Sequence, residues 1–93
     1  MRVPIESADQ LGLIVRATRR TQKLRLDDTA GAVGVGHVFV RDVEHGKPTV
    51  QLGRVLQLLA ELGIELQADV PEAAWPEYQR LQSAGLKPLK GRA

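Results

Sequence analysis

One glycine, Gly34, divides the stretch from Leu26 to His45 into two short helical segments, and that break limits how the rest of the chain can pack. A positive φ is cheap only for glycine, so the backbone can turn sharply there. Before the break, a helix is expected from Leu26 to about Val33. Asp27 and Asp28 sit in its first turn, where carboxylates favour the positive end of the helix dipole. After it, a helix is expected from His37 to about Glu44, with Val40 and Val43 facing inward and Phe39 at its edge. Ala30 is small enough to let the two helices cross closely. Val35, Val40 and Val43 would fill the wedge behind the crossing. His45-Gly46-Lys47-Pro48 then ends the second of these helices, with glycine past the end and proline beyond.

The flanking segments are helical too. Ser7-Ala8-Asp9-Gln10 has the form of a capping box, so a helix should start near Ala8 and run to about Gln22, with Leu11, Ile14, Val15 and Thr18 on one face. Thr49 is a candidate cap for a further helix, whose apolar stripe is Leu52, Val55, Leu56, Leu59 and Leu62. Gly63 ends that helix. Ile64-Glu65-Leu66-Gln67-Ala68 alternates with period two and is expected to form one short strand. Past Val70-Pro71 the sequence turns rich in alanine, proline and charge, with a weak helix expected from about Pro76 to Ser83. The sequence therefore implies an all-α domain of four main helices plus one C-terminal strand. Residues 1–69 form the folded unit, and residues 70–93 form a tail, part helical or disordered.

Several classes of function are made improbable by composition. The chain has no cysteine, which removes disulfides, thiolate nucleophiles and cysteine-ligated zinc. Its two histidines, His37 and His45, have no acidic cluster around them, so no metal or other cofactor is expected. No grouping of residues resembles a catalytic triad or a carboxylate pair in a pocket, and an enzyme is not expected. The first residues lack the apolar run of a signal peptide and no stretch is long enough to span a membrane, so a cytoplasmic, membrane-free protein is expected. The net charge is only +2, but Arg16, Arg19, Arg20, Lys23 and Arg25 fall in ten residues that contain no acid. A local cationic patch on a near-neutral body suits phosphate binding.

Two helices crossing around a glycine turn make a helix-turn-helix unit. The residues that compose it here are Leu24, Ala30, Val33-Gly34-Val35 and Phe39-Val40-Arg41-Asp42-Val43-Glu44-His45-Gly46-Lys47-Pro48-Thr49. With Leu11-Gly12 before them and Leu62-Gly63-Ile64-Glu65-Leu66 after, they resemble the Cro/repressor (Xre-type) helix-turn-helix family, and within it the HipB-like antitoxins. The resemblance covers about residues 5–69 and implies a lambda-repressor-like fold and DNA binding. In three places the sequence departs from the family pattern. Arg25 and Leu26 replace the usual Ser/Thr cap and the Gln that reaches DNA, Gly36 replaces the usual Ser cap, and Thr29 and Gly31 weaken the second helix.

An α-helix fits the major groove of DNA, and the helix after Gly34 should enter it amino end first. His37, Val38, Arg41 and Asp42 are then the candidate base-reading residues. Arg41 leads, because its fork can bond guanine O6 and N7 together. Arg19, Arg20, Lys23, Arg25, Gly36 and Lys47 are candidate phosphate ligands. The family resemblance further implies an ion pair between Arg19 and Glu44 that orients the guanidinium.

A lone strand would leave an unpaired edge, so Ile64, Leu66 and Ala68 are expected to pair antiparallel with the same strand of a second copy. Such a homodimer would present two recognition helices to a palindromic operator. The resemblance also implies a HipA-like kinase toxin as partner. Trp75, Tyr78 and Leu81 are candidate partner anchors, or else fold back on the domain. An orphan regulator without a toxin, and an adaptor that uses the same helices to hold a protein, remain as alternatives. No small-molecule effector is expected.

Overall fold

The computed structural model describes residues 1–85; the remainder of the expected 70–93 tail lies outside the described residues. Five α-helices follow one another: α1 (Ala8–Thr21), α2 (Leu26–Ala32), α3 (His37–Glu44), α4 (Leu52–Leu62) and α5 (Trp75–Ala84), the last preceded by a 3-10 turn at Glu72–Ala74.

Local chemistry accounts for most of the boundaries. Ser7 caps α1, its hydroxyl accepting from the Gln10 amide at 3.2 Å, while Gln10 Oε1 accepts from the Glu6 amide at 2.6 Å. The reciprocal bond thus falls one residue earlier than in a standard capping box. At the other end of α1, Lys23 takes a φ of 57°, and the Leu24 amide donates to Arg19 O at 3.1 Å. A lysine here does what glycine usually does at a helix end. Gly63 ends α4 at φ 78°, with the Ile64 amide bonded to Leu59 O at 2.8 Å.

The core is Val15 of α1, Ala30 of α2, Val40 and Val43 of α3, and Val55, Leu58, Leu59 and Leu62 of α4. Leu11, Leu24, Leu26, Val35, Phe39, Val50 and Ile64 close around it. α3 packs between α1 and α2. Its approach to α1 is possible because Gly12 has no side chain. A Cβ there would lie 2.5 Å from Val43 O and 2.8 Å from Glu44 O, inside van der Waals contact with backbone.

Four expectations are corrected. The strand at Ile64–Ala68 is absent, and no strand occurs among the described residues. Ile64 is drawn half under the core as α4 closes, whereas Leu66 is 50% exposed, so the alternating face is split. A strand also needs a ladder partner, and none lies among the described residues. Thr49 does not cap α4; Gln51 takes that place, with no side-chain hydrogen bond. The buried stripe of α4 includes Leu58, while Leu52 and Leu56 are 65% and 43% exposed. The C-terminal helix forms about where expected, but none of its residues is buried, so Trp75, Tyr78 and Leu81 do not fold back into the domain.

Candidate nucleic-acid interface

The α2–α3 unit is built around residues 33–36. Gly34 has φ 70°, the Gly34 amide donates to Gly31 O, and the Val35 amide donates to Ala30 O at 3.0 Å. Ala30 is 2% exposed at the crossing, where a larger side chain would separate the helices. Neither α2 nor α3 has a side-chain cap, because Arg25 and Gly36 stand at the two N-cap positions.

Two faces of α3 have opposite character. Val40, Val43 and Glu44 are buried, whereas His37, Val38 and Arg41 are exposed and Asp42 is half-buried. The Arg41 side chain has no ion pair or hydrogen bond among the described residues. Asp42 lies 3.5 Å from Lys47 Nζ, so part of its charge is met by that lysine. His45 Nδ1 sits 2.8 Å from Arg41 O and helps close the last turn.

Glu44 is held from α1. Its Oε2 accepts from Arg19 Nε at 2.5 Å and its Oε1 from Arg19 Nη2 at 3.0 Å. Arg19 Nη1 donates to Leu24 O at 2.9 Å, so one guanidinium joins α1, the α1–α2 link and α3. Arg16 adds a bond from Nη2 to Glu44 O at 3.2 Å, and its Nε lies 3.7 Å from Oε1. Two coplanar N–H···O bonds to a carboxylate fix geometry as well as charge. The hydrogen bond to Glu44 raises the Arg19 pKa above its ordinary value, against the opposing effect of burial, and the carboxylate charge adds to the rise.

The other cations stand at the rim. Arg20, Lys23, Arg25 and Lys47 are exposed, and Gly36 lies at the open amino end of α3. Asp27 sits among them, its Oδ1 3.7 Å from His37 Nδ1 and its Oδ2 3.9 Å from Arg25 Nη2. The sequence reading missed this bridge, and the double hold of Arg16 on Glu44. The Asp27–His37 and Arg16–Glu44 contacts join residues on different elements, and only the helix crossing brings them together. Ile64, Leu66 and Ala68 lie on the link after α4, and Trp75, Tyr78 and Leu81 on α5. Among the described residues no group of acidic and histidine side chains could hold a metal ion. No helix is long and apolar enough to cross a membrane.

No protein-family model matches the chain. It is 45% identical over 67 residues to an uncharacterised HTH-type transcriptional regulator, y4mF, of Sinorhizobium fredii, covering 72% of this chain and 88% of that one. Its fold is similar to the HipB structure described as a HipA–HipB–O2–O3 complex, with a TM-score of 0.69 at 15% identity over 76% of this chain and 100% of that one. It is also similar to the restriction-modification controller protein C.AhdI of Aeromonas hydrophila. There the TM-score is 0.56 at 29% identity, over 62% of this chain and 84% of that one.

Proposed function

The chain belongs to the HTH-type transcriptional regulators of the Cro/repressor (Xre) type, and on that premise we propose that it is a repressor that binds a palindromic operator as a homodimer, with α3 in the major groove. The observation that carries this is the division of α3 into two faces. Val40, Val43 and Glu44 hold the helix to the body, which leaves His37, Val38 and Arg41 turned outward on a fixed rod.

Arg41 reads guanine through its fork, Val38 meets a thymine methyl, and His37 donates to a base or phosphate. Asp42, engaged by Lys47, sets the edge of the reading face. Arg20, Lys23, Arg25 and Lys47, with the Gly36 amide, contact phosphates and so position the protein without reading sequence. Arg19 acts chiefly through Glu44, since its side chain is 12% exposed and its guanidinium is bonded on three nitrogens. A cytoplasmic location follows from this role.

Selection of bound sequences from a random DNA pool tests the proposal, followed by mobility shifts across a salt titration. The expected result is a palindrome with half-sites about one helical turn apart and a log–log salt slope of several units. A pool that yields no motif, with binding of any duplex alike, would overturn it. A protein that binds no duplex at all would favour the adaptor alternative.

A second reading has support of its own: an antitoxin that also binds a HipA-like kinase toxin. It rests on the likeness to the HipB fold and on Gly46-Lys47-Pro48-Thr49 after α3. Co-expression with the product of an adjacent kinase-like gene, and recovery of a stoichiometric complex, separates it from an orphan regulator.

A further inference from the structure

The exposed apolar side chains are unevenly distributed. Met1, Val3, Ile5 and Leu13 are exposed at the amino end and Val38 on α3, while Leu52, Leu56, Leu66, Val70, Trp75, Tyr78 and Leu81 run from α4 to α5. From α2 to α3 a single large apolar side chain, Val38, is exposed, whereas α4 to α5 exposes seven.

Helix α5 cannot account for its own stability. It has ten residues, and isolated helices shorter than about 12–15 residues are marginal in water. Its stabilising features are local: Trp75 stacks on Tyr78 with centroids 5.5 Å apart, and Arg80 pairs with Glu77. None of its residues is buried. It ends a link, residues 64–71, that carries no regular structure. The radius of gyration is 15.7 Å, against about 12 Å for a compact chain of this length, which shows how far the described chain departs from a compact body. Meanwhile Leu52 and Leu56, one turn apart on α4, stay open because the chain's own arm does not cover them.

We infer that the surface formed by Leu52 and Leu56 takes the α5 arm of a second copy, whose Trp75, Tyr78 and Leu81 lie across it. This rests on the dimeric reading given above and specifies its interface. Under a two-fold axis each arm crosses to the other body, so two unpartnered apolar faces per chain close together. The five side chains of this contact, about half exposed each, offer on the order of 500 Å² per copy, short of the ~800 Å² per partner of a standard interface but above most packing contacts. Trp and Tyr supply anchors of the kind that dominate such contacts. The exchange occurs away from α3, so both reading faces remain free for DNA.

The chain has no cysteine, which makes disulfide trapping clean. A tagged Leu56→Cys chain is co-expressed with an untagged Tyr78→Cys chain and the pair is oxidised. In parallel, sedimentation equilibrium compares the wild type with a Trp75→Ala/Tyr78→Ala/Leu81→Ala variant, whose core, drawn from residues 11–64, is untouched. The expected results are a disulfide joining the two chains and a dimer dissociation constant raised by at least about a hundredfold. A disulfide within one chain of a Leu56→Cys/Tyr78→Cys protein, at monomer mass, overturns the inference in favour of fold-back. A dimer that survives the triple substitution and forms no disulfide overturns it while leaving the dimeric reading intact, with another protein as the arm's partner. A wild type that is monomeric at every concentration, with and without DNA, removes both.

Discussion

Arg19 and Glu44, twenty-five residues apart, meet through two hydrogen bonds of 2.5 and 3.0 Å that tie α3 to α1. Glu44 is 3% exposed in its side chain and Arg19 12%. Water therefore has little access to the pair.

Removing one member of such a pair leaves a charge stranded. Glu44→Ala is expected to lower folding stability by roughly 3 kcal/mol, towards the lower end of the range for breaking buried pairs. Urea unfolding followed by circular dichroism measures it, and a loss under about 1 kcal/mol would mean that the contact is decorative. The raised pKa of Arg19 has a defined consequence for pH. Its stabilising effect is complete below the unfolded pKa and is lost only as pH climbs through the still higher folded value, so a mildly alkaline titration should leave the fold intact.

Gly12 lets backbone meet backbone. In Gly12→Ala the new Cβ, 2.5 Å from Val43 O, has no flexible side chain to displace. A destabilisation of about 1–3 kcal/mol is expected, typical of overpacking, together with weaker DNA binding as α3 shifts. Thermal unfolding would show it as a fall of roughly 5–15 °C in Tm. An unchanged Tm would contradict the close approach.

Thr29 is 2% exposed, and its hydroxyl has no hydrogen-bond partner among the described residues. Thr29→Val keeps the shape and removes the unsatisfied group, so stability should rise by about 1 kcal/mol. Denaturant midpoints at constant m-value provide the check. A loss instead would mean that the hydroxyl finds a partner in solution.

Two substitutions separate reading from holding. Arg41→Ala should flatten preference at one base position at a cost of ~1–3 kcal/mol. Lys47→Ala should weaken all sequences alike and reduce the salt slope by about one. Quantitative footprints at several salt concentrations distinguish the two, and identical behaviour of both variants would refute the assignment of roles.

The parts of the fold fixed by local chemistry were legible in the sequence. The α3 boundaries at His37 and Glu44, the positive φ of Gly34 and the start of α1 after Ser7 all follow from neighbours in the chain. What depended on a distant partner was not. On α4, leucines recur so densely that a 3.6-residue period admits both a Leu52–Leu56 stripe and a Val55–Leu58–Leu62 stripe, and only the position of α1–α3 selects the second. The period-two pattern of Ile64–Ala68 suggested a strand, but period alone provides no ladder partner. On the candidate interface, the outward placement of His37, Val38 and Arg41 was readable from helical spacing. The contact of Asp27 with His37 was not, since it spans the turn.

The clamp on Glu44 also bears on how such a protein can change its target. The side chains that keep α3 in place face inward, and those that would meet bases bear almost none of the folding energy. His37, Val38 and Arg41 can therefore be exchanged with little harm to the scaffold, while the angle at which the rod is presented stays constant. If these side chains read DNA as proposed, descendants of this chain acquire new operators through a few surface codons, as a key is recut without recasting its shaft.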